Sequence, residues 1–143
     1  MRLVIGACLA VFLGGCNPTK SRTEAEGAVV DFHAKFSAAD FEGIYNAAHR
    51  DFQSSQPKDD IVAFIRTVRS RLGPVVSSKL SSWSSMSQNL STTVTISYNT
   101  VFENGTGSEQ FIYQIEEAEA KLLSWNITSN QLIHNKNDKP SQP

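Results

Sequence analysis

One change of periodicity divides this sequence into a helical half and a strand half. Up to Leu72 the apolar residues recur at the three- and four-residue spacing of amphipathic helices, and from Val75 onward they alternate with polar residues. Gly73 and Pro74 stand at the boundary, where glycine suits a left-handed helix end and proline cannot continue a helix. Elements segregated in this way predict an α+β fold, in which helices cover one face of an antiparallel sheet.

Three helices are predicted before this boundary, and each has a start signal. Thr23 and Glu26 have the spacing of a capping box. Asp40 can cap a second, shorter helix, and Pro57 suits the first position of a third. Residues 49–56 are polar and are expected to form a loop. The three helices are expected over residues 23–38, 41–48 and 57–72.

Four strands joined by short turns are predicted after the boundary. The first, from Val75 to about Gln88, is rich in serine, and the second has the clearest alternation of apolar and polar residues. Turns are expected over residues 104–107, which contain an Asn-Gly pair, and over residues 116–120. The apolar residues that mark the four strands are Leu80, Trp83 and Met86; Val94, Ile96, Tyr98 and Phe102; Phe111, Tyr113 and Ile115; and Leu123, Trp125 and Ile127.

The first fifteen residues have the layout of a secretory signal peptide that is removed after export. Arg2 gives a short positive start, residues 3–13 are almost entirely apolar, and small residues lead into Cys16. The apolar run is about half of the roughly 20 residues that a membrane-spanning helix needs, so a retained helix is not expected. The mature chain is then 143 − 15 = 128 residues long, enough for one domain, and residues 16–22 are expected to form a flexible tether.

The segment Leu13-Gly14-Gly15-Cys16 resembles the lipobox of bacterial lipoproteins. In that family the cysteine thiol takes up a diacylglycerol group, and a peptidase that requires small residues before the cysteine then removes the leader. The resemblance implies that Cys16 is lipidated and holds the domain on a membrane of the bacterial cell envelope. Asn17, where many inner-membrane lipoproteins have Asp, implies the outer membrane, with the domain facing the periplasm. A plain signal peptide followed by a chance cysteine is the alternative.

Charge and cysteine content exclude several classes of function. The 14 acidic and 13 basic residues nearly balance, so no basic surface for nucleic acid is expected. Cys8 leaves with the leader and Cys16 carries the lipid, so the mature domain has no disulfide and no cysteine metal site. His33, His49 and His134 lack paired carboxylates at metal-binding spacing, and neither a metal nor a cofactor is expected.

The order of three helices and four strands over residues 23–134 resembles the cone-shaped fold shared by nuclear transport factor two, ketosteroid isomerase and scytalone dehydratase. The local texture of Phe36-Ser37-Ala38-Ala39-Asp40-Phe41 and Tyr98-Asn99-Thr100-Val101-Phe102-Glu103-Asn104-Gly105 is also similar. The resemblance, closest to exported bacterial proteins with this fold, implies helices packed on a curved sheet with a pocket between them. A cystatin-like sheet around one helix is the alternative. Residues 135–143 contain no apolar side chain and are expected to be disordered.

The residues expected to line such a pocket share an apolar body with a polar tip. They are His33, Tyr45, Trp83, Tyr98, Tyr113 and Trp125. His33 is either a general base, as in the enzymes of the resembled family, or a core histidine with a satisfied hydrogen bond. The aromatic residues line a cavity or simply form the core, and Glu103 and Glu109, which flank a turn, are expected in water.

The serine run between residues 77 and 87 lacks the Gly-x-Ser-x-Gly pattern of a nucleophile and indicates an edge strand. An unpaired edge can recruit another strand, so a homodimer formed through the sheet is a further expectation.

Together these features predict a lipid-anchored, non-enzymatic protein of the cell envelope that binds a small apolar ligand or a protein partner. The alternatives are an isomerase- or dehydratase-type enzyme that uses His33, and a structural subunit of an envelope assembly. An interior closed by Phe32, Phe36, Ile96 and Tyr113 would weaken both the enzyme and the ligand-binding hypotheses, because each needs an internal pocket. An open pocket that contains His33 would favour the enzyme.

Overall fold

The computed structural model describes residues 17–133. The predicted cleavage site at Leu13, Gly14 and Gly15, the predicted lipidation site Cys16 and the tail 135–143 lie outside the described residues. Within these residues the helices are α1 (Pro18–Ser37), α2 (Phe41–Ala47), α3 (Arg50–Ser54), α4 (Lys58–Leu72) and α5 (Asn130–Ile133). The strands are β1 (Val75–Gln88), β2 (Ser91–Phe102), β3 (Gly105–Glu116) and β4 (Glu119–Thr128).

The predicted α+β class is confirmed, with four helices before the antiparallel sheet and the short helix α5 after it. The four strands are ordered β1-β2-β3-β4, each paired with the next along the chain. The predicted boundary is also correct, because α4 ends at Leu72, Gly73 has φ 77° and β1 begins at Val75. None of the helices within residues 17–133 has the length and apolar character needed to cross a membrane.

Helix α1 begins five residues before the predicted start, so the tether expected over residues 16–22 is wrong for residues 18–22. The Asn17 side chain accepts a hydrogen bond from the Thr19 N–H at 3.1 Å, and Pro18 occupies the first turn. Asparagine is a favoured N-cap and proline a favoured first residue, so this pair starts the helix. Thr23 is not a cap, because its hydroxyl donates to the Thr19 carbonyl inside the helix.

The loop predicted over residues 49–56 contains a short helix, α3. His49 precedes α3, and its Nδ1 accepts a hydrogen bond from the Asp51 N–H at 3.1 Å. The His49 N–H donates to the Leu122 carbonyl at 2.9 Å, which fastens this segment to β4. Pro57 lies just before α4 rather than in its first turn.

The three hairpin turns have two residues each. Asn89-Leu90 joins β1 to β2 and Glu117-Ala118 joins β3 to β4, and all four residues have positive φ. The turn predicted over residues 104–107 lies one residue earlier, at Glu103 and Asn104, so that Gly105 begins β3.

The position of that turn is fixed by the end of α4. The Glu103 N–H donates to the Pro74 carbonyl at 2.9 Å, and the Asn104 N–H donates to the Leu72 carbonyl at 2.8 Å. The bond to Leu72 satisfies the last carbonyl of the helix, and both bonds hold the β2–β3 turn against the end of α4.

The fourth strand presents different residues to the core than the sequence predicts. Tyr113 pairs with Leu122 and Ile112 pairs with Ser124, which leaves Leu123 as an extra residue in a bulge. Leu122 and Trp125 are therefore both buried, whereas Leu123 is only half-buried. A bulge breaks the two-residue period, and strict alternation cannot anticipate it.

Helix α1 packs its apolar stripe on the inner face of the sheet and closes the interior. Phe32, Phe36, Ile96 and Tyr113 are all buried. The Phe32 ring lies 5.1 Å from that of Phe111, measured between centroids. The hollow that borders Phe32 and Tyr113 has a volume of ≈ 40 Å³, which is too small for a typical ligand. This arrangement weakens the hypotheses that depend on an internal pocket.

Candidate functional site

The centre of the interior holds a carboxylate, Glu109, which is only 2% exposed. Glu109 lies on β3 in the same phase as Phe111 and Tyr113, so the pleat of the strand turns it inward. Thr100 on β2 is buried for the same reason, in phase with the inward residues of its own strand. The expectation that Glu109 lies in water is therefore wrong, although the period of its strand carried the signal.

Three side chains form hydrogen bonds with this carboxylate. His33 Nε2 lies 2.7 Å from Glu109 Oε2, and the Thr100 hydroxyl donates to the same oxygen at 2.6 Å. The Trp125 indole N–H donates to Oε1 at 3.1 Å. A buried carboxylate is tolerated only when such partners replace water, and here they come from α1, β2 and β4.

His33 is a core histidine with a satisfied hydrogen bond. Its ring is buried, with ring centroids of Tyr98 at 6.3 Å and Phe111 at 5.7 Å in edge-on contact. A general base must reach the proton that it removes from a substrate. In this arrangement the Nε2 of His33 reaches Glu109 instead.

The structure gathers four of the six predicted pocket residues and separates the other two. His33, Tyr98, Tyr113 and Trp125 belong to the buried cluster around Phe111 and Glu109.

Tyr45 and Trp83 lie elsewhere on the molecule. The Tyr45 hydroxyl donates to the Gln53 carbonyl at 3.3 Å, on the side of α2 that faces α3. Trp83 lies on β1, where the Arg22 guanidinium stands 5.2 Å from the ring centroid.

The Tyr113 hydroxyl is buried and has no hydrogen-bond partner. Tyr113 borders a small cavity of ≈ 40 Å³ that is also lined by Ala28, Ile44 and Ala120. This volume suits a few water molecules at most. Burial raises the pKa of Tyr113 well above its usual value of 10.0, and the nearby negative charge of Glu109 raises that pKa further.

A larger concave surface lies outside this interior, between α3 and α4 on one side and β4 on the other. This groove has a volume of ≈ 390 Å³. Its apolar lining consists of Phe52, Ile61, Phe64, Ile65, Leu123 and Trp125. Four polar residues, Ser55, Gln56, Ser124 and Asn126, complete the lining.

The groove combines buried and exposed apolar groups. Ile61 and Ile65 are buried, whereas Phe64 is 52% exposed with its ring centroid 5.9 Å from that of Trp125. Its volume lies within the usual range of ligand pockets, about 300–1,000 Å³. An apolar lining with a few polar groups can bind a small apolar molecule and orient its polar end. Only Trp125 among these residues was predicted as a pocket residue.

The edge strand β1 lies at one side of the sheet, as the serine run indicates. Its residues are mostly exposed, and Lys79 lies near its middle. Association of two copies through this edge stays a prediction. In the part of the chain that the structure describes, no three or more His, Cys, Asp or Glu side chains are grouped so that they could hold a metal ion.

Comparison of the chain with family models, with curated proteins and with solved structures finds no match.

Replacement of Glu109 by alanine should destabilise the fold strongly. The change leaves the Trp125 N–H and the Thr100 hydroxyl without their acceptor, and it opens a cavity. We expect a loss of about 3 kcal/mol or more in the free energy of unfolding, measured by urea denaturation. Glu103→Ala, which removes an exposed carboxylate from the neighbouring turn, should change it by less than about 0.5 kcal/mol. Equal effects of the two changes would contradict the buried network.

Tyr113→Phe should stabilise the protein, and more so at high pH. At neutral pH the change removes a buried hydroxyl without a partner, for a gain of up to about 1 kcal/mol. Above pH 10 the unfolded wild type loses the Tyr113 proton while the folded state keeps it, so wild-type stability falls with rising pH. Each pH unit above the unfolded pKa should therefore widen the gap between variant and wild type by about 1.4 kcal/mol.

Urea midpoints of wild type and Tyr113→Phe at pH 8 and pH 11 measure this gap, and other titrating groups cancel in the comparison. A gap that stays constant between the two pH values would show that the hydroxyl reaches water in the folded state.

Proposed function

We propose that this chain is a lipid-anchored, non-enzymatic protein of the bacterial cell envelope that binds a small apolar ligand. The ligand site is the groove between α3, α4 and β4. The observation that supports ligand binding is the apolar lining of this ≈ 390 Å³ groove, at the surface of which the Phe64 side chain is about half exposed. The fold proposed with it is the cone-shaped fold that the order of helices and strands resembles.

The anchor is supported by the lipobox-like segment Leu13-Gly14-Gly15-Cys16. A single acyl chain binds a bilayer only marginally, whereas two or more chains hold a protein there firmly. The diacylglycerol group proposed on Cys16 carries two acyl chains, so it is sufficient as an anchor by itself. Helix α1 begins at Pro18, two residues after Cys16. The attachment would therefore join the folded domain with very little intervening chain.

The ligand site is supported by the way Trp125 is held. Its indole N–H donates to Glu109 inside the domain, while the residue also lines the groove. The buried hydrogen bond fixes the position of the ring before any ligand arrives, and a preformed site spends less of its binding energy on ordering side chains.

The enzyme alternative has less support than the binding role. His33 and Glu109 are paired with each other and enclosed by aromatic rings, and neither lines the groove. The groove itself is lined by hydroxyl, amide and apolar side chains, which suit binding better than proton transfer.

Binding in the groove can be tested with the fluorescent apolar probe N-phenyl-1-naphthylamine. Phe64→Ser removes an exposed apolar wall without emptying the core, and the lost burial should weaken binding about tenfold, or about 1.4 kcal/mol. Val30→Ser is the matched control, because Val30 is 69% exposed on α1 and lies outside the groove. Equal affinities of the two variants for the probe would contradict the proposed site.

Lipidation can be tested by metabolic labelling with an alkyne analogue of palmitate in bacteria that express the full chain. Cys16→Ser should abolish the label, because the cysteine sulfur is the atom that takes up the diacylglycerol group. Cys8→Ser is the control and should keep the label, because that residue leaves with the leader. A label that persists in Cys16→Ser would exclude the anchor.

A further inference from the structure

The turn between β1 and β2 contains a leucine that contributes nothing to the folded core. Leu90 is 108% exposed and has φ 65°, next to Asn89 with φ 48°. Two-residue turns with positive φ at both positions favour Asn-Gly, and a residue with a Cβ atom pays about 1–2 kcal/mol for this conformation. The corresponding residue in the β3–β4 turn is the small Ala118, with φ 66°. Leu90 is thus costly for the fold, and its side chain packs against nothing.

The residues around Leu90 extend its apolar character. We call residues 84–92 the hairpin tip. Met86 in this segment is 65% exposed, and no residue of the hairpin tip carries a charge. Exposed leucine and methionine without a neighbouring charge suit the boundary between lipid headgroups and acyl chains.

The hairpin tip lies beside the place where the chain leaves the lipid anchor. Pro18 and Ser21 of α1 border the same surface hollow as Ser85, Ser87 and Thr92. Ser87 pairs with Thr92, two residues from the turn, so about 7 Å of strand separates this contact from the end of the hairpin.

Cys16 is two residues before Pro18, and so within about 7.6 Å of it along the chain. An anchor at Cys16 and the side chain of Leu90 therefore reach the same bilayer surface.

The charges near this end favour contact through one hairpin only. Lys20 and Arg22 are the charged residues between positions 17 and 23, and both are basic. Arg22 is ion-paired with Glu26 at 2.7 Å, so Lys20 is the basic residue that this argument depends on. Lysine and arginine beside an anionic lipid surface contribute about 1 kcal/mol each. The turn of the β3–β4 hairpin lies at the same end of the sheet as the β1–β2 turn. This second hairpin carries Glu116, Glu117 and Glu119, whose negative charges disfavour approach to anionic headgroups.

We propose that the hairpin tip enters the interface of the bilayer to which Cys16 is anchored. The side chains of Leu90 and Met86 then lie at the boundary between the lipid headgroups and the acyl chains. This inference rests on the proposed lipidation of Cys16. The contact gives the domain a second attachment point, so that the protein has a fixed orientation on the membrane instead of swinging about a single anchor.

The test uses the full chain, matured and lipidated in bacteria, and reconstituted into vesicles of phosphatidylethanolamine and phosphatidylglycerol. Because the proposed mature chain has no other free thiol, a single introduced cysteine can carry an environment-sensitive NBD label. The labelled variants are Leu90→Cys and Met86→Cys at the hairpin tip, Val76→Cys at the other end of β1, and Glu117→Cys in the acidic hairpin. Val76 and Met86 are both 65% exposed and lie on the same strand, so they form a matched pair.

Labels at positions 90 and 86 should emit at shorter wavelength than labels at positions 76 and 117 in the same vesicles, and doxyl-labelled phospholipid should quench them. Labels at positions 76 and 117 should show neither effect. Equal quenching at all four positions, or no quenching at position 90, overturns the inference. A shift to shorter wavelength without quenching by doxyl lipid would mean that another copy of the protein covers the hairpin tip, and it also overturns the inference.

The mass of the same sample separates this inference from the proposed anchor. A chain whose mass includes the acyl groups but whose position 90 is not quenched loses only the hairpin contact. A mass without acyl groups removes the anchor and the inference with it.

Discussion

The hydrogen bonds to the carboxylate of Glu109 are the interactions on which the rest of this structure depends. The carboxylate lies in the middle of an aromatic core, and it is satisfied by His33 from α1, Thr100 from β2 and Trp125 from β4. Because an unpaired charge in this position would cost several kcal/mol, the helix and three strands of the sheet must keep their relative positions. The apolar side chains of α1 contribute to the buried core, whereas Glu109 selects one way of placing α1 on the sheet.

The same constraint closes the interior, so the ligand site that we propose lies at the surface. With Glu109 paired and the buried rings of Phe32 and Phe36 stacked on each other in the core, side chains of the protein itself fill the space between helices and sheet. An apolar concavity of ≈ 390 Å³ lies beyond Trp125, in the groove against α3 and α4. Trp125 connects the two regions, since its N–H belongs to the buried network and its residue lines the groove.

The sequence predicts the parts of this fold that depend on local chemistry. The boundary at Gly73 follows from periodicity and helix-stop residues, and it is correct. The start of α1 predicted from the capping box at Thr23 is wrong, because the Asn17 side chain caps the helix and Pro18 begins it. Leu123 was placed on the wrong face because a bulge interrupts the period. The groove depends on α3 docking against β4, a contact between distant segments that no local pattern records.

The most direct test of the closed interior is the rate at which the Trp125 indole proton exchanges with deuterium, followed by nuclear magnetic resonance. If Glu109 is dry and fully paired, this proton should exchange as slowly as the backbone amides of β2 and β3, which open only when the domain unfolds. Exchange that is complete while those amides remain protected would show that water reaches Glu109 in the folded protein. The interior would then be an accessible pocket, and the assignment of ligand binding to the outer groove would be wrong.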